Sequence, residues 1–184
     1  MEAVESVKII EQMLNESKKS LAKNSFFFLL WAAMMVPAGI AEYFLYGTSY
    51  FWMIWPIAGG LGGIISFIYG MQMGKKLQYT TAAGRIYKYT WGAFGFCMIF
   101  VIAYAVNLKQ PPHALILMLA GGATFISGGI SNFKPFVYGA VALLVSAVIC
   151  AFVVEPPMHS LVFAAGMFAG YLIPGLILRK LENG

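Results

Sequence analysis

Apolar residues run through this chain in long blocks separated by short polar breaks. Charges are missing from 43–74, 89–108, 110–133, 135–154 and 156–178. A helix needs roughly 20 mostly apolar residues to cross a bilayer, so the pattern predicts six spans, near 26–46, 51–73, 89–106, 113–130, 135–154 and 158–178. The fold class expected is an all-α integral membrane protein. Turns are expected at 47–50, 107–112, 131–134 and 155–157, with one longer polar connection over 74–88. Pro37 and Pro174 fall inside spans and are expected to bend them.

The first 24 residues follow a different rule. Ala3, Val7, Ile10, Leu14, Ser17 and Leu21 recur at helical spacing, while glutamates and lysines occupy the other faces. This predicts an amphipathic helix on the cytoplasmic side, making a 1–24 segment ahead of a 25–184 membrane domain. Three uses compete for its apolar stripe: packing on the protein's own inner face, pairing of residues 2–22 with a second copy or another protein, and lying on lipid.

The spans group into three hairpins, about 26–73, 89–130 and 135–178. Trp31, Trp91 and Tyr138 open the first arms, and the glycine-bearing stretches AGGLGGIISFIYG, AGGATFISGG and AAGMFAGYLIPG occupy the second arms. Such matched spacing predicts an internal repeat with the hairpins in a pseudo-threefold arrangement about the membrane normal. Gly59, Gly63, Gly121, Gly122, Gly128, Gly166 and Gly170 are the expected helix-packing positions, because small residues let helices approach closely in lipid.

Composition sharpens the class. The chain is 60% hydrophobic and 10% charged, and soluble domains carry about 25% charged residues. A net charge of +5 would point a soluble protein toward nucleic acid, but here it reads as an orientation signal. With the N-terminus inside, every lysine and arginine except Lys109 falls in an inner segment, so both termini are expected to be cytoplasmic. Membrane lipid is the expected partner and nucleic acid is not one.

Candidate chemistry is sparse. The chain lacks aspartate altogether, and Glu42 is the one acid inside a predicted span. It reads either as an interfacial residue reaching water or as a proton or cation group. His113, Glu155 and His159 lie at the same outer end, where the histidines could meet, bind a metal or respond to acid. Walker, HExxH, CxxC and GxSxG patterns do not occur. No enzyme activity, cofactor or metal is expected. Cys97 and Cys150 lie at depths too different for a disulfide.

The opening run ESVKIIEQMLNESKKSLAKNSFFFLLWAA resembles the start of an uncharacterised family of small bacterial six-span membrane proteins. The three-hairpin layout is similar to that of the HdeD-like acid-resistance membrane proteins. These resemblances imply a bacterial inner membrane location and bring no catalytic residues. The function expected first is a non-enzymatic membrane scaffold or stress-linked interaction protein. The alternative is a small transporter or channel for an ion or small molecule along the repeat axis.

Overall fold

A computed structural model describes residues 25–74, 82–108 and 111–182. The expected amphipathic helix lies outside the described residues. The apolar blocks form α1 (Ser25–Leu45), α2 (Ile54–Gly74), α3 (Ala82–Leu108), α4 (His113–Ser131) and α5 (Lys134–Phe152). A sixth long helix is assembled from α6 (Pro156–Met167), a π-helical turn (Phe168–Leu172) and α7 (Ile173–Glu182). No strand occurs among the described residues. All six are long and apolar enough to cross a membrane, since 19 residues at about 1.5 Å each match a hydrocarbon core of about 30 Å.

The boundaries depart from the sequence pattern in three places. α2 is preceded by a single 3₁₀ turn, Phe51–Met53, so its regular helix begins later than expected. α3 begins at Ala82, not near 89, and carries Arg85 and Lys88 exposed in its first two turns. Charge marks where a helix leaves lipid, not where it ends, because lysine and arginine are good helix formers. The third difference is at Pro174, which cannot donate to the carbonyl of Gly170. The helix takes its π turn over the residues just before the proline, a common accommodation of a local mismatch. By contrast, α1 runs unbroken through Pro37.

Packing follows the small residues. Gly39 of α1 lies against the sixth helix, where an added Cβ would sit 2.7 Å from the Ser160 carbonyl and 3.1 Å from Ala164 Cβ. Gly139 of α5 meets the π turn, 2.7 Å from the Gly170 carbonyl by the same measure. Gly121 and Gly128 draw α4 onto α5, which is the most extensive helix pair. Asn132 closes the turn between them in the left-handed region, at φ 50°, with its N–H on the Gly128 and Gly129 carbonyls.

Each expected hairpin pairs its two arms, and further seams join α4 to α5 and α1 to the sixth helix. No comparable seam joins α2 to α3 among the described residues. Burial is correspondingly uneven: 11% of the span residues of α2 and of α3 are buried, against 33–50% in the other four. The core therefore sits among α1, α4, α5 and the sixth helix, with α2 and α3 flanking it. Their broad apolar faces suit contact with lipid.

Candidate functional site

The buried face of α4 sets the site. His113, Leu117, Ala120, Thr124, Ser127 and Ser131 are all buried, and they repeat at alternating steps of four and three. That period keeps one stripe facing a neighbour along the whole helix. Four of the six are polar, so α4 carries a broken polar line across the bundle, with Leu117 and Ala120 as its apolar gap.

At the N-terminal end of this line, His113 Nε2 lies 2.9 Å from Glu42 Oε2. His113 is 1% exposed and Glu42 is 7% exposed, so Glu42 is directed into the bundle and not into interfacial water. The pair stitches the end of α1 to the start of α4. Trp55, from the first turn of α2, stands 5.2 Å from the His113 ring, and Phe163 of α6 stands 5.4 Å away. These two rings contact each other edge to face at 5.1 Å. They cover the pair with apolar surface, and low dielectric strengthens the Glu42–His113 interaction.

His159 comes to the same place, its ring 6.3 Å from that of His113 at 87°. Its Nε2 lies 3.1 Å from the Val154 carbonyl, and its own carbonyl accepts from the Cys150 thiol at 3.6 Å. Glu155, in contrast, is exposed and makes no side-chain cap to the helix it precedes. Three of the four ionisable residues singled out above thus converge, and Glu155 stays at the rim. No group of three or more metal-ligating side chains forms among the described residues. Cys97 and Cys150 are free thiols.

The C-terminal half of the line is aromatic and hydroxylic. Trp91 Nε1 of α3 donates to Ser127 Oγ at 3.1 Å, and Ser127 Oγ donates in turn to the Ala123 carbonyl at 2.8 Å. Ser131 Oγ donates to the Ser127 carbonyl at 2.7 Å. Phe28 packs between Phe136 and Tyr171, with ring centroids 4.3 and 5.2 Å away. The hydroxyls of Thr124 and Tyr171 are buried and stand close to each other.

The packing positions divide by helix. Gly121, Gly128, Gly166 and Gly170 all sit where an added Cβ would meet a neighbour at 3.0 Å or less. Gly59, Gly63 and Gly122 have nothing within 4 Å, so among the described residues they pack no helix. Gly39 and Gly139 do so instead, unflagged by the sequence pattern because each stands in a first arm, and so does Gly175 at the end of the third glycine-bearing stretch. Trp55 and Phe163 were likewise indistinguishable from ordinary span residues.

Six membrane-length helices around a buried ionisable pair define a polytopic α-helical membrane protein. No family model matches the chain, and comparison with curated proteins and with solved structures returns no significant match.

Proposed function

We propose that this chain is a small, non-enzymatic transport protein that moves a proton or another small cation through its helix bundle. The observation that carries the proposal is the buried Glu42–His113 pair. Ionisable groups within membrane spans are expensive and are kept mainly along substrate and proton paths. Support also comes from the polar stripe of α4, which continues inward from the pair through Thr124, Ser127 and Ser131. Leu117 and Ala120 interrupt it, as a hydrophobic constriction does in a gated pore.

The location proposed is a bacterial inner membrane, which the family resemblance implies, with both termini cytoplasmic, which lysine and arginine placement supports. The test is cation or proton flux into proteoliposomes containing the purified protein. Glu42→Gln should reduce flux to the protein-free background while the variant still reconstitutes and elutes as the parent does. Unchanged flux in that variant removes the reading.

A second reading, a membrane scaffold or stress-linked interaction protein, draws on the flanking position of α2 and α3. Their exposed apolar faces, with Gly59, Gly60 and Gly63 open, could carry a second copy or a partner helix. Residues 2–22 would then be the cytoplasmic docking element, and the hairpins would keep the rotational relation that their repeat spacing suggests. Deleting residues 2–22 should abolish assembly in native membranes; intact assembly speaks against this reading.

A further inference from the structure

Two buried imidazole nitrogens at the outer end of the bundle have no hydrogen-bond partner among the described residues: Nδ1 of His113 and Nδ1 of His159. The other nitrogen of each ring faces an oxygen. His113 Nε2 lies against the Glu42 carboxyl at 2.9 Å, and His159 Nε2 against the Val154 carbonyl at 3.1 Å. A backbone carbonyl accepts only, and so does an ionised carboxylate. Each neutral ring therefore carries its hydrogen on Nε2 and leaves Nδ1 as a bare lone pair.

Two buried acceptors without a donor are costly. The rings that bear them stand edge to face, 6.3 Å apart. What satisfies both is a species that donates two hydrogens. Water does this, and its hydrogens also move.

We propose that His113 and His159 hold a bridging water and, with Glu42, form a proton relay between the outer face and the buried carboxylate. Trp55 and Phe163 cover the Glu42–His113 pair directly, whereas His159 is half-buried beside the exposed Glu155. An incoming proton forms an N–H bond at Nδ1 of His159. That bond breaks as an O–H bond forms on the water, and one of the water's own O–H bonds breaks as an N–H bond forms at Nδ1 of His113. The Nε2–H bond of His113 then breaks and an O–H bond forms on Glu42 Oε2. His113 is left neutral with its hydrogen on Nδ1, and the reverse sequence resets the ring. No electrons are exchanged.

Among the described residues, the ionisable groups at this relay are Glu42 from α1, His113 from α4, and His159 of the sixth helix with the Cys150 thiol of α5 on its backbone carbonyl, while Glu155 stays exposed at the rim. Helix α2 contributes the neutral Trp55 ring. The relay stands on the ring nitrogens alone; its use in transport rests on the reading above.

The test uses the full chain reconstituted in one orientation and follows the Glu42 carboxyl by infrared difference spectroscopy after a pH jump on one side. Glu42→Gln identifies the band by abolishing it. The band should respond to a jump on the outer side, and His159→Phe should slow that response by about 100-fold or more, the usual worth of a positioned proton-transfer group. His159→Gln serves if the phenylalanine variant does not fold, and it should slow the response in the same way. A response as fast in these variants as in the parent overturns the relay. So does a response driven from the inner side, or a carboxyl that never changes protonation. An intact response without net flux defeats the transport reading and leaves the relay standing. Flux that persists without dependence on His159 does the converse.

Discussion

Glu42 and His113 satisfy each other at their paired atoms. Removing Glu42 leaves the buried His113 Nε2–H without its acceptor, at a cost of about 1–3 kcal/mol. Glu42→Ala is therefore expected to destabilise the protein in detergent by about that amount. Glu42→Gln keeps an oxygen that can accept from His113 Nε2 and should cost visibly less. Unfolding titrations of the two variants check the difference, and equal losses would mean that the pair contributes nothing specific. Sequence reading singled out both residues, because each is an ionisable group at the end of an apolar block. It did not join them, since 71 residues separate them and no local periodicity spans such a distance. His159 was placed with His113 by repeat position, while Glu155, equally suspicious in the sequence, stays exposed.

At the level of helices, close approach and mere glycine content turn out to be different things. Gly139→Ala would drive a methyl into the Gly170 carbonyl and Pro174, so α5 must separate from the π turn. Overpacking of this kind costs about 1–3 kcal/mol. Gly59→Ala meets nothing within 4 Å and should be neutral or stabilising by up to about 1 kcal/mol through helix propensity. Thermal unfolding in one detergent separates the two outcomes. The existence and count of the helices were legible from the apolar blocks alone. The neighbours were not: lipid and protein contacts look alike in composition, so Gly59 and Gly139 cannot be told apart without three-dimensional packing. The early start of α3 was hidden for a related reason, since Arg85 and Lys88 end the apolar run without ending the helix.

For the molecule as a whole, uneven burial is the organising fact. Four helices form the core and two flank it, with no comparable α2–α3 seam among the described residues. The orientation proposed across the bilayer rests on the distribution of lysine and arginine, in which Lys109 alone is assigned to an outer turn. Alkaline phosphatase fused after Gly184 should be inactive in bacterial cells, whereas fusion after Lys109 should give activity outside the cytoplasm. Activity at the C-terminal fusion would invert the topology and place Glu42 and His113 at the inner end.

The distance along the chain between Glu42 and His113 also has a history in time. A ribosome adding about 5–20 residues per second delivers Glu42 roughly 4–14 s before the histidine it will meet. During that interval the acid belongs to a newborn helix whose hydrogen-bond donor has not yet been made, and the arrival of α4 ends the wait. Maturation of this protein thus includes a moment of partner capture, well after its first helix has been synthesised.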